Sequence, residues 1–136
     1  MSSLKLSHLA IACSEIEMVA KQLAVLALEV AEDHDVPTEG VRAAMIPCAV
    51  SQAFRIELVA PTVKTSPIAK FLEKRPQGGL HHMCFEVTHL EKWHQRLQEK
   101  GLEVLPPGIR KAARGKALFL HPRCMGGVLV ELEEIE

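Results

Sequence analysis

His8, Glu57, His82 and Glu131 are the residues of this 136-residue chain whose types and spacing could do chemistry. Each histidine precedes its glutamate by 49 residues, and the second pair follows the first by 74. Two neutral imidazoles and two carboxylates balance a divalent cation. Mixed nitrogen and oxygen donors suit Zn, Co, Ni, Mn or Fe better than a soft-metal or all-oxygen site does. Four protein ligands in an octahedral field leave two neighbouring positions, which two substrate oxygens can take. A cation so held polarises a carbonyl and eases loss of a proton from the adjoining carbon, and a nearby carboxylate can accept that proton.

The offset of 74 serves more than the four ligands. It lays Ser7-His8-Leu9-Ala10-Ile11 on His81-His82-Met83-Cys84-Phe85, Ser14-x-x-Glu17 on Thr88-x-x-Glu91, Leu28-Glu29-Val30 on Leu102-Glu103-Val104, and Ile56-Glu57-Leu58 on Val130-Glu131-Leu132. One register across four stretches reads as duplication of a structural module. A lone strand histidine is more often a satisfied core or edge residue than a ligand, and a strand glutamate more often a solvated edge charge. The shared register reverses that ordinary expectation here. His81 faces the other way from His82 and is the lesser candidate, while His34, His89, His94 and His121 fall where surface placement is expected.

The elements that must position these residues follow the same order twice. Lys5 to Cys13 alternates as a strand, Ser14 to Glu17 has capping-box form, and Ile16, Val19, Ala20, Leu23 and Leu26 continue at helical spacing to about Ala27. Leu28-Val30 is expected to start a second strand, with a polar excursion over 32–39. Val41-Pro47 and Ala53-Ala60 are expected to form a hairpin joined across Cys48 to Gln52. In the connector, Ser66-Pro67 can cap and start a short helix carrying Ile68, Phe71 and Leu72. The second module repeats the plan: strand Leu80-Val87, a capping box at Thr88 to Glu91, a helix with Leu90, Trp93 and Leu97 closed by Gly101, strand Leu102-Leu105, a Pro/Gly-rich basic loop over 106–115, and strands Lys116-Leu120 and Gly127-Leu132. The expected fold is α+β, with two tandem βαβββ modules forming a curved, concave mixed sheet and helices on the outer face. It makes a single domain over 1–136, with module one at about 4–60, the connector at 61–78 and module two at about 79–134. Phe54, Ile56 and Leu58 share one strand face and Glu57 takes the other; Val128, Val130 and Leu132 likewise oppose Glu131. With helices over the bulky faces, all four polar residues point to the concave side, where a small ligand would lie.

A hydrophobic fraction of 48% with 24% charged residues is ordinary for one globular domain. The net charge of −1 gives no electrostatic footprint for nucleic acid or membrane, and 4% aromatics without tyrosine offer no stacking platform for single strands. Cys13, Cys48, Cys84 and Cys124 form no CxxC pair and are expected as free thiols in a reducing compartment. No apolar run approaches the ~20 residues of a membrane span, and the strand starting near Lys5 leaves no room for a leader, so the expected compartment is cytoplasmic. Lys70, Lys74, Arg75, Arg110, Lys111 and Arg114 could attract a phosphate-bearing substrate, and solvated faces account for them equally well.

The duplicated plan resembles the vicinal oxygen chelate (glyoxalase/bleomycin resistance/dioxygenase) superfamily, and within it the methylmalonyl-CoA epimerase family. The resemblance rests on His8-Leu-Ala-Ile-Ala12, Ile56-Glu-Leu-Val-Ala-Pro61, Ser66-Pro-Ile-Ala-Lys-Phe-Leu-Glu-Lys-Arg75, Gly79-Leu-His-His-Met-Cys-Phe-Glu-Val87, Phe119-Leu-His-Pro122 and Gly126-Gly-Val-Leu-Val-Glu-Leu132. It implies one divalent metal ion (Co, Mn, Ni or Zn) on His8, Glu57, His82 and Glu131, an acyl-CoA substrate and a homodimer. It also implies proton transfer at the carbon alpha to the thioester, between the R and S forms of methylmalonyl-CoA. Two glutamates serve as bases in that family, and Glu131 matches one. The other stands two residues before a strand-starting glycine; here that glycine is Gly40 and the matching position holds Thr38. Glu39, next door, is the candidate second base if the loop shifts by one residue. The family's Gly-Ala-His-Gly also reads Ala112-Ala113-Arg114-Gly115. A glyoxalase I-type lyase uses the same four ligand types, and a non-catalytic small-molecule-binding protein of this scaffold is the reading that Thr38 would favour.

Overall fold

The computed structural model describes residues 3–48 and 54–136. In chain order the elements are β1 (Leu4–Ala12), α1 (Ile16–Ala24), β2 (Glu32–Val36), β3 (Val41–Pro47), β4 (Arg55–Pro61), α2 (Pro67–Lys74), β5 (Gly79–Val87), α3 (Leu90–Glu99), β6 (Arg110–Ala112), β7 (Gly115–Leu120) and β8 (Leu129–Ile135). This is βαβββ twice, with α2 in the connector. The strands form one mixed sheet of order β2-β3-β4-β1-β5-β8-β7-β6, an α+β arrangement. The chain divides into two compact units, His8–His81 and the combination of Met1–Ser7 with His82–Glu136.

In the His8–His81 unit, β1 runs parallel to β4, and β3 pairs antiparallel with both β4 and β2. Ile11, Cys13, Ala44, Ile46, Ile56, Leu58 and Ala60 face α1, which contributes Ile16, Val19, Ala20 and Leu23. The other sheet face carries Ala12, Val41, Ala43 and Val59, and there α2 packs through Ile68, Phe71 and Leu72. The outer placement expected of the helices therefore holds for α1. The connector helix lies on the opposite face and covers one end of it. Ser66 caps α2 as its sequence foretells: its Oγ accepts from the Ala69 N–H at 3.0 Å, with Pro67 in the first turn. After α2 the chain turns at Gly78, whose φ is +79° and where an added Cβ would stand 2.3 Å from the Ala12 carbonyl oxygen. Only glycine fits against that strand.

The second unit repeats the pairing. β5 runs parallel to β8, and β7 pairs antiparallel with β8 and β6. The register is kept by the repeat: Glu57 stands opposite Ala10 and Met45, and Glu131 opposite Cys84 and Phe119, each partner displaced by 74. Val87, Leu118, Leu120, Val130 and Leu132 bury one sheet face under Leu90, Trp93 and Leu97 of α3.

Four local expectations are corrected. Leu28-Val30 and Leu102-Leu105 are not strands; the second strand of each module is β2 and β6, inside the stretches expected as a polar excursion and a loop. Leu28, Leu102 and Val104 are apolar because they pack on the cores from the connections, and only Val104 makes an isolated bridge, to Leu120. β2 is an edge strand of mostly exposed residues, which removes the hydrophobic alternation that marks a strand in a sequence. The two capping boxes do not form. α1 has Glu15 at its N-cap without a side-chain hydrogen bond and ends at Ala24, and at α3 the Leu90 N–H donates instead to Glu134 Oε1 at 2.6 Å, while the Thr88 hydroxyl accepts from the Ser3 N–H. The arms of the expected hairpin pair as β3 and β4; most of its turn, 49–53, lies outside the described residues.

Candidate metal centre

Strand alternation brings the four predicted ligands to the faces that do not carry the main helix cores. On β1, His8 lies on the side of Ala10 and Ala12, and is 8% exposed. On β4, Glu57 shares its face with Val59 and is flanked by Ala10 and Met45. On β5, His82 and Cys84 share the face opposite Met83 and Phe85, which join the apolar core. On β8, Glu131 lies opposite Val130 and Leu132, both of which enter that core.

The donor atoms of His8, Glu57 and His82 lie within 4.8 Å of one another. Those of His8, Cys84 and Glu131 form a second group within the same distance, where Glu131 meets a thiol the sequence did not single out. Signal for that thiol was available: at the repeat offset Cys84 replaces Ala10 directly beside the equivalent glutamate. Burial, and then the charges of Glu131 and Glu133, hold the Cys84 thiol far above its ordinary pKa. It is therefore a neutral S–H that hydrogen-bonds the Glu131 carboxylate, not a thiolate competing for a cation.

Burial pushes the Glu57 carboxyl up to about 7, the nearby charge of Glu39 adds to the rise, and Arg55 opposes it. A carboxylate in that position gains from a positive partner. The donor set of two imidazoles and half-buried carboxylates thus fits a divalent ion of the nitrogen- and oxygen-binding class. His81 belongs elsewhere: its ring meets Phe71 edge-on at 5.1 Å between centroids, and burial lowers its pKa. Among the described residues, His34, His89, His94 and His121 join no such group; His121 Nδ1 accepts from the Arg123 N–H.

Glu39 sits exposed in the turn that links β2 to β3. Its N–H donates to the Val36 carbonyl and that of Gly40 to the Pro37 carbonyl, with Gly40 at φ +65°. Its charge repels that of Glu57 and so helps to raise the carboxyl of a candidate ligand. All four cysteines are free, with Cys13 and Cys84 buried. No described helix is long and apolar enough to cross a membrane.

This twinned arrangement agrees with the family comparison. Residues 7–119 match the model of the Glyoxalase/Bleomycin resistance protein/Dioxygenase superfamily, and the chain belongs to that superfamily. Within it the chain belongs to the methylmalonyl-CoA epimerase family. It is 43% identical over 134 residues to the ethylmalonyl-CoA/methylmalonyl-CoA epimerase of Cereibacter sphaeroides, covering 96% of this chain and 98% of that one. The methylmalonyl-CoA epimerase of Mycobacterium tuberculosis superposes with a TM-score of 0.82 at 28% identity, covering 97% of this chain and 88% of that one. A methylmalonyl-CoA epimerase solved with methylmalonyl-CoA and NH4+ superposes with a TM-score of 0.80 at 29% identity, covering 98% and 96%.

Proposed function

We propose that this protein is a metal-dependent epimerase that interconverts (R)- and (S)-methylmalonyl-CoA. The observation that carries the reading is identity of 43% along nearly the whole length of an epimerase of that substrate class. His8, Glu57, His82 and Glu131 would hold the ion, which when bound supplies Lewis-acid polarisation of the substrate's thioester and carboxylate oxygens. The chain's own carboxylates move the proton. One of Glu131 and Glu39 takes the alpha proton from its face of the carbon while the other returns a proton to the opposite face; the reverse reaction exchanges their roles. The repulsion that the Glu39 charge exerts on Glu57 supports Glu39 over Thr38, whose hydroxyl has no useful basicity at neutral pH. The metal is one of Co, Mn, Ni or Zn. By the same family reading the protein is a cytoplasmic homodimer, and light scattering after gel filtration would read its mass against 15.0 kDa for one chain.

The test is incubation of metal-reconstituted protein with methylmalonyl-CoA in deuterated water, following alpha-carbon exchange and stereochemistry by NMR. Exchange with inversion is expected, and absence of exchange with every divalent ion tried removes the reading. Glu39→Gln should slow inversion at least about tenfold. If Glu39→Gln is silent while Thr38→Glu accelerates inversion, Glu39 is not the second base.

A further inference from the structure

The second unit holds an arginine that the proposed chemistry has not used. Arg110, on the short strand β6, stands opposite Ala117 of β7; two residues along β7, Phe119 stands opposite Glu131 of β8. Directly opposed residues of antiparallel strands project to the same side, so Arg110, Phe119 and Glu131 share one sheet face. The side chain confirms it: the guanidinium carbon lies 4.6 Å from the centroid of the Phe119 ring. That contact holds the cation over the β7 residue that pairs directly with Glu131 on β8, in a sheet whose strands are about 5 Å apart. Its Nε is buried without a hydrogen-bond partner, an arrangement that is costly for a group this strongly polar. Neighbouring Arg114 differs, because it donates to Glu133 Oε1 at 2.8 Å.

From this geometry we infer that Arg110 is a substrate-recognition residue whose guanidinium, held over Phe119, receives the free carboxylate of a malonyl-type thioester. The inference rests on the epimerase reading and adds to it the residue that selects a dicarboxylic acyl group over a monocarboxylic one. A planar fork of donors matches a carboxylate, and the contact with the aromatic ring positions it before substrate arrives. The carboxylate is attached to the reacting carbon, which must lie beside Glu131, whereas the phosphates of the CoA moiety are many bonds away. A carboxylate offers two oxygens, so one remains for the guanidinium whatever holds the other. Arg110 touches the substrate's recognition group and takes no part in proton transfer.

The test compares the parent with Arg110→Gln and Arg110→Lys, each checked for folding by circular dichroism. Dissociation constants are measured calorimetrically for methylmalonyl-CoA and for propionyl-CoA, which lacks the carboxylate. Arg110→Gln should weaken methylmalonyl-CoA about tenfold or more and shift propionyl-CoA by less than about twofold. Arg110→Lys should recover part of the loss, because it restores charge without the fork. Equal weakening of both ligands would transfer the contact to the CoA phosphates and overturn the assignment, as would no weakening of either. These readouts need no turnover. A parent that binds methylmalonyl-CoA without exchanging its alpha proton would remove the epimerase reading, while the ratio of the two affinities would still decide the role of Arg110.

Discussion

At the residue scale the question is which side chains do what, and neighbours decide it. Glu57 and Glu131 are the same residue type at equivalent positions, yet Glu57 is flanked by Ala10 and Met45 and Glu131 by Cys84 and Phe119. The apolar flank and the charge of Glu39 raise the Glu57 carboxyl, whereas Glu131 receives a thiol hydrogen bond. The two carboxylates are thus prepared for different work. Glu131→Ala should abolish alpha-proton exchange, and Glu131→Gln should do the same while retaining more metal; metal content and turnover equal to the parent's in both variants would contradict the dual role. His82→Ala should lower bound metal well below one ion per chain, and His81→Ala should leave it near the parent value, both read by atomic emission on purified protein. The choice between adjacent histidines was legible in the sequence from alternation and the repeat. The Cys84 contact was not, because it depends on which strand lies beside β8.

At the element scale, helix ends show how local and tertiary signals divide. Ser66 accepts from the Ala69 N–H within its own turn, a bond that a sequence can announce. Ser66→Ala should cost about 1 kcal/mol, measured as a fall in urea midpoint with unchanged slope. The start of α3 is capped by Glu134, 44 residues away in sequence, so a search for a nearby capping box picks the wrong partner. Glu134→Ala should therefore destabilise the chain by about 1–2 kcal/mol, although Thr88→Val at the apparent box position should leave the α3 cap intact. Strands β2 and β6 were missed for a related reason. They are edge strands held by their inner neighbours, and their side chains have little apolar surface to place.

At the scale of the whole molecule, titration links the candidate centre to stability. Glu57 is raised from 4.5 to about 7 in the native state. Its protonated form therefore supports the metal-free fold fully below about pH 4.5, and that support is lost as pH rises through about 7. Glu17, Asp33 and Glu91 move the other way, chiefly through hydrogen bonds from Arg42, Arg42 and Lys116, so what they contribute is lost only as pH falls below the ordinary carboxylate range. Between about pH 5 and 7.5 the urea midpoint of the metal-free protein should fall, and Glu57→Gln should flatten that slope. Excess divalent ion should reverse the trend, because binding requires the ionised carboxylate and gains with pH. A flat profile in the metal-free parent would contradict the burial assigned to Glu57. The sequence by itself determined the duplication and the strand faces that carry the two candidate histidines and two candidate glutamates, since period-two alternation and a common offset are properties of order along the chain. Only the tertiary structure decided that Cys84 adjoins Glu131, that Glu134 caps α3 and that Arg110 lies over Phe119. Each of those contacts joins separate elements, and which elements become neighbours is settled by strand order and packing, to which no single stretch of sequence gives access.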